Sequence, residues 1–241
     1  MKKLSFTLFN AKRNFIILLL CTLSIPIASL AQIPENEIIE VQGITKALLK
    51  RVITYGDFST SKVKAVQVTH GFDVDGMGME FTNKKYSFTQ ISPAGEAEIT
   101  ASDNPDKEQI NTIKQLFGIN TKGKVSYSGK IKGNSTEIGE WHFYVNPAKS
   151  SSEIECGKII SEGKEGFIIS GQNSTTSKQA MFGKMTFKYS FSYNGEIVAM
   201  VNTDGTADYG TCKIWIKKDL DKNLQLIVAS VCSSLLARIG N

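Results

Sequence analysis

Histidine is nearly absent from this chain: His70 and His142 are the only two in 241 residues, and there are four cysteines. Such a supply excludes a disulfide-packed scaffold and leaves no H-E-x-x-H, CxxC or zinc-spaced set. Proline is also scarce, at five residues. No Pro-rich or Ser/Gly-rich linker divides residues 32–241 and no repeat recurs, so a single domain is expected there. An excess of one charge is lacking too. The formal balance of +5 contains Lys2, Lys3, Lys12 and Arg13, all ahead of residue 32 in a stretch with no acid; without those four, 24 basic residues face 23 acidic ones. Nothing in that balance calls for nucleic acid. Ordinary apolar content (41%) rules out a disordered chain.

What is present begins with a leader. Lys2, Lys3, Lys12 and Arg13 precede an almost wholly apolar run over residues 15–27, and Ser29-Leu30-Ala31 places small residues where a signal peptidase reads them. The expectation is a signal peptide over residues 1–31, cleaved at Ala31-Gln32 to release a secreted or periplasmic chain of 210 residues. The apolar run is shorter than the roughly 20 residues of a membrane span, and Pro26 interrupts it. Cys156, Cys212 and Cys232 then remain, either as one disulfide plus a thiol or as three small buried hydrophobes. Cys232, inside an apolar run, is the one expected unpaired.

The mature chain reads as a series of short strands bounded by Gly, Asn, Ser or Pro: 63–68, with an alternation slip that predicts a bulge, then 79–81, 86–88, 96–101, 124–132, 140–146, 153–160 and 166–170. Thr82-Asn83-Lys84-Lys85 is expected to turn the chain between the second and third. Period-two alternation is clearest over residues 184–193, where Met185, Phe187, Tyr189, Phe191 and Tyr193 share a face. Asn194-Gly195 follows and supplies the positive φ values of a type I′ hairpin. That turn pairs Tyr193 with Glu196, Phe191 with Val198, and Tyr189 with Met200. A further strand places Cys212, Ile214 and Ile216 on one face, and Lys213, Trp215 and Lys217 on the other.

Residues 224–237 carry no charge. A helix over 222–239 is predicted, capped by Asp219 or Asp221, with Arg238 at the negative end of its dipole. Leu224, Ile227, Val228, Val231, Leu235 and Ile239 form one face. The other carries Ala229, Ser230, Ser233 and Ala237 with Leu226 and Leu236, where a surface helix would show Lys and Glu. Its apolar length favours a core helix over a membrane span. A second helix is expected over 105–117, capped by Asn104, with Ile110, Ile113 and Phe117 as its apolar stripe.

The run Lys184-Met185-Thr186-Phe187-Lys188-Tyr189-Ser190-Phe191-Ser192-Tyr193-Asn194-Gly195-Glu196-Ile197-Val198-Ala199, followed by the 211–217 strand and the 222–239 helix, resembles the tubby C-terminal, LURP-one and scramblase-like group. The resemblance covers the last 60–100 residues. It implies a mostly β fold, an antiparallel barrel of about a dozen strands around the C-terminal helix. The group includes phosphoinositide binders; no residue here matches a lipid-contact motif, and the export signal departs from their cytosolic setting.

Catalytic signatures are missing. His142 lies with Tyr144 on the strand face opposite Trp141 and Phe143, and reads as a wall residue; His70 reads as a strand-end residue. Cys156 with His142 is the only nucleophile–base pair to consider, and no local signature supports it. Asp73-Val74-Asp75-Gly76 with Glu80 fails the spacing of a calcium loop and reads as a solvated turn. No catalytic residue, cofactor or metal is expected. Asn134-Ser135-Thr136 and Asn173-Ser174-Thr175 match glycosylation sequons. Lysines 122, 124, 130 and 132 alternate along one strand and read as a solvated face rather than an acidic-surface contact. The expected function is a secreted, non-enzymatic binding or interaction protein of a bacterial-type cell envelope, its candidate partners being a lipid, the envelope surface or another protein. The alternatives are a lipocalin-like carrier, with the helix outside and Phe187, Tyr189, Phe191 and Trp141 lining a pocket, and a hydrolase acting around Cys156, His142 or Asp73/Asp75/Glu80.

Overall fold

The computed structural model describes residues 37–40, 52–74, 77–105, 107–118, 125–146, 154–162, 164–173, 187–203 and 212–239. The expected leader at 1–31, Asp75, Gly76, Lys122, Lys124 and the start of the 184–193 run lie outside them. Contacts divide the chain into Met1–Glu37 and Ile38–Asn241. Among the described residues of the second unit, thirteen strands form one antiparallel sheet, and two helices accompany it. From β5 (Met77–Ser92) onward the chain is a meander: β6 (Gly95–Asp103), β7 (Tyr127–Gly133), β8 (Glu140–Val145), β9 (Ile154–Ser161), β10 (Lys164–Asn173), β11 (Phe187–Tyr193), β12 (Glu196–Thr203) and β13 (Lys213–Ile216). Three short strands without a clear sequence pattern, β1 (Ile39–Glu40), β2 (Thr54–Tyr55) and β3 (Phe58–Thr60), complete the two ends of the sheet.

Those ends meet, giving a nearly closed antiparallel barrel. Gly56, in the β2–β3 turn at φ 52°, has no room for a side chain, because a Cβ would lie 2.9 Å from Cδ1 of Ile39 on β1. Along each wall strand the alternation points apolar residues inward. Tyr86 and Phe88, Ala97, Ile99 and Ala101, Tyr127 and Ile131, and Trp141, Phe143 and Val145 are all buried in one core.

Helix α1 (Lys107–Phe117) connects β6 to β7, and helix α2 (Lys222–Ile239) ends the chain. Residues 225–237 of α2 are buried all round, over roughly three and a half turns. The helix touches β5 and β6 as well as β12 and β13, from opposite ends of the strand order, and so it occupies the barrel interior. Among the described residues no helix is long and apolar enough to cross a membrane.

The polar groups of α2 explain its serines. Tyr55 Oη donates to the carbonyl of Ala229 (2.8 Å) and lies 2.9 Å from Ser233 Oγ; Tyr127 Oη donates to the carbonyl of Ser234 (2.9 Å) and also meets its hydroxyl. Ser230 bonds back to Leu226. Small helix residues let the tyrosine-bearing wall approach, and their hydroxyls satisfy the tyrosines there. Asp221, rather than Asp219, caps the start through bonds from the amides of Asn223 and Leu224. At the other end Arg238 Nε lies 2.6 Å from Asp103 Oδ1 and its guanidinium sits over the Tyr127 ring.

Several local expectations are corrected. The 63–68 segment contains no bulge: β4 (Lys64–Val74) pairs β5 in unbroken register from Lys64↔Ser87 to Val74↔Met77. Its alternation slips because Lys64, Ala65, Val66 and Gln67 are all exposed, so neither face selects apolar residues. Thr82-Asn83-Lys84-Lys85 is not a turn but mid-strand, within β5 and paired to β4 or β6 throughout. The β11–β12 turn is as expected, with Asn194 and Gly195 at φ 52° and 79°, and Tyr193 does pair with Glu196. Beyond that pair a bulge at Val198 shifts the register, so Phe191 faces Ala199 and Tyr189 faces Val201. Val198 and Ala199 are consequently both buried, and the displaced Val198 carbonyl accepts from the amide of Lys217. Trp215 is buried despite its outward parity. Asn104 sits at φ 48°, outside the extended backbone of an N-cap, and α1 begins three residues later.

Candidate functional site

The same alternation that fills the interior sends polar residues outward, and strand register sorts them into rows. Ser87 on β5 pairs with Thr100 on β6, Thr100 with Lys130 on β7, and Lys130 with His142 on β8. The adjacent outward row runs Lys85, Ser102, Ser128, Tyr144. Tyr144 aside, these rows floor a groove of about 500 Å3 on the outer wall.

Helix α1 forms one side of it. Ile113 packs with Val125, Tyr144 and Phe117 in a small outer cluster, and the Phe117 ring meets Tyr144 edge-on at 4.9 Å. This anchor holds Gln109, Thr112 and Ile113 against the groove, while Val66 of β4 borders it elsewhere. The expected stripe is therefore real but packs on the outside of the barrel. Beneath the floor, Gly129 is fixed by close packing: a Cβ there would stand 2.5 Å from the Phe143 ring and 2.7 Å from the Thr100 carbonyl.

Electrostatics at one end are set by Glu140. Its carboxylate lies 2.7 Å from Lys130 Nζ and 3.0 Å from His142 Nε2. The hydrogen bond from Lys130, reinforced by the charge of Lys130 and by His142, holds the Glu140 carboxyl below its ordinary value. Glu140 is outside the groove lining, which contains no carboxylate among the described residues. Ser102 donates to Asn83 Oδ1 at 2.7 Å. Ser128 is 5% exposed, and among the described residues its hydroxyl has no hydrogen-bond partner.

The sequence-derived candidates are dispersed. His142 stands on the outer wall, as its strand parity predicted. Cys156 belongs to the interior core, brought inward by a bulge between Ile169↔Gly157 and Ser170↔Glu155; a Cβ on Gly171 would meet its sulfur at 2.8 Å. The barrel wall separates the two, so they form no nucleophile–base dyad. Asp73 and Glu80 lie on opposite strands of the β4–β5 ribbon with different partners, Gly78 and Gly71, and His70 pairs with Phe81. Among the described residues no group of three His, Cys, Asp or Glu is placed to hold a metal ion. Cys156, Cys212 and Cys232 are all buried, and burial pushes the Cys232 thiol far up. Asn134 of the first sequon is exposed. Lys130 and Lys132 do share the outer face of β7.

The groove residues Lys85, Ser87, Thr100, Ser102 and Ser128 carry no signature that sequence reading could single out. Their common signal is outward parity on four strands, and only register makes them neighbours. The chain matches no family model, and no curated protein or solved structure matches it.

Proposed function

We propose that this chain is an exported, non-enzymatic binding module of a bacterial-type cell envelope, built as a tubby-like barrel whose ligand surface is the outer wall. One observation carries the reading: the interior, where a carrier would hold cargo, contains α2, buried throughout residues 225–237. Phe191, Tyr189 and Trp141 are core residues; Trp141, for example, packs 6.1 Å from the Phe167 ring. Separation of Cys156 from His142 supports a non-enzymatic role, and the basic leader followed by an apolar run supports export. The meander closing on a central C-terminal helix is what the resemblance to the tubby, LURP-one and scramblase-like group implies.

Native mass spectrometry of the protein purified from its host tests the proposal. The expected result is a chain beginning at Gln32 that carries no stoichiometric apolar small molecule. Retention of such a molecule, lost only on unfolding, would establish a carrier and overturn the reading.

A further inference from the structure

We propose that the groove between α1 and the outer face of β5–β8 is a binding site for an acidic saccharide, a short run of sugar units bearing carboxylates. This inference rests on the reading of the chain as a binding module and assigns that module its ligand class.

Charge comes first. Lys85, Lys130 and His142 line the groove and, among its described residues, no acid does. Glu140 engages Lys130 and His142 from the flank without exhausting them, because an ammonium has three N–H donors and the imidazole a second ring nitrogen. Lys85 forms no ion pair among the described residues. The cations stand apart, Lys85 on β5 and Lys130 on β7, about 10 Å from strand to strand. Such spacing suits acidic groups distributed along a ligand better than one compact dianion, which convergent or bidentate donors would grip.

Hydroxyl chemistry comes second. Ser87, Thr100 and Ser128 line the floor with no side-chain hydrogen bond among the described residues, and Ser128 is almost wholly buried. A hydroxyl both donates and accepts, as do the hydroxyls of a sugar ring. None of these hydroxyls is sealed from solvent, so each can exchange water for a bond to a polar ligand.

Backbone accounting separates a saccharide from a peptide. Each floor strand is paired along the groove on both sides, β5 with β4 and β6, and β8 with β7 and β9. An extended peptide would find no free strand edge to extend, so recognition falls to side chains. From β5 to β8 the floor spans about 14 Å, a width that with a volume of about 500 Å3 admits two or three sugar rings.

The test is calorimetric titration of the purified full-length protein with trigalacturonate, neutral galactotriose, and phosphatidylcholine vesicles containing phosphatidylglycerol. Trigalacturonate should bind, with galactotriose weaker by about tenfold or more through loss of charge-assisted bonds. Lys85→Ala and Lys130→Ala should each weaken trigalacturonate by about tenfold. The amide resonances of Thr100, Ser128 and Thr112 should shift on titration. Unchanged affinity in both lysine variants, or shifts confined to another surface, would overturn the location. Equal affinity for galactotriose would overturn the acidic class. Binding of the vesicles alone, or of no probe, would overturn the saccharide inference while leaving the binding-module reading to its own mass-spectrometric test.

Discussion

The two helices address opposite faces of one barrel wall. Helix α2 lies inside, against β5 and β6 among others, and is buried on every side; α1 lies outside, near β8, and hides only the stripe around Ile113. Leu116, on the same helix, remains 42% exposed. A strand wall has two faces with independent patterns, so β5–β8 can present Tyr86, Ile99, Tyr127 and Phe143 to a dry core and hydroxyls with lysines to solvent. The difference teaches where function has room. Inside, α2 fills the space and the hydroxyls of Tyr55 and Tyr127 are bonded to it; outside, Lys85 and the hydroxyls of Ser87, Thr100 and Ser128 are left for a ligand.

Breaking the inner contact should have the largest effect. Val231 has no solvent exposure, and Val231→Asp places an unpaired charge at the centre of the barrel. The cost is several kcal/mol, comparable to the whole stability of a domain, so soluble folded protein should be lost. Normal yield and melting of this variant would mean the helix is not enclosed.

Alkaline pH probes the same interior without mutation. Burial raises the pKa of Tyr55, Tyr127 and Tyr189 well above the ordinary tyrosine value. The unfolded chain therefore loses these protons near pH 10 while the folded chain keeps them. Stability contributed by the neutral hydroxyls is fully present below about pH 10 and falls above it, by about 1.4 kcal/mol per pH unit for each group until its folded pKa is reached. Urea denaturation at rising pH should show this decline. Ultraviolet titration should show tyrosinate from these three only on unfolding.

The outer contact should be cheaper to break. Ile113→Ala removes the centre of a small cluster and should cost about 2 kcal/mol, the low end for a buried aliphatic truncation. Amide exchange should then rise in α1 while α2 keeps its protection. Equal loosening of both helices would mean the two faces are coupled. Smallest is Tyr127→Phe, which deletes the bonds to Ser234 and keeps the ring: about 1–2 kcal/mol by chemical denaturation, leaving the fold unchanged.

Legibility followed the range of the forces involved. The 222–239 helix, the Asn194-Gly195 turn and the inward parity of Trp141 and Phe143 rest on local pattern, and each appears where it was expected. Errors arose where a neighbour decides. Lys64 to Gln67 lacked alternation because all four are exposed, not because of a bulge. The bulge at Val198 was invisible because Val198 and Ala199 are both apolar enough to be buried. Cys156 turned inward through another bulge that no residue type announces. The groove was illegible for a related reason: Ser87, Thr100, Ser128 and Lys130 are ordinary strand residues until four strands are aligned.

By itself the amino-acid sequence determined the periods, period two along the strands and an uncharged turn-by-turn pattern in the last helix, and with them a mostly β fold that has to hide that helix. Tertiary structure alone decided that the helix runs through the barrel, that the ends of the sheet meet at Ile39 and Gly56, and which polar residues share a groove. Periodicity is a property of neighbours along a chain, written by backbone geometry. Closure and register are agreements between segments far apart, set by which side chains fit when the wall folds around its core.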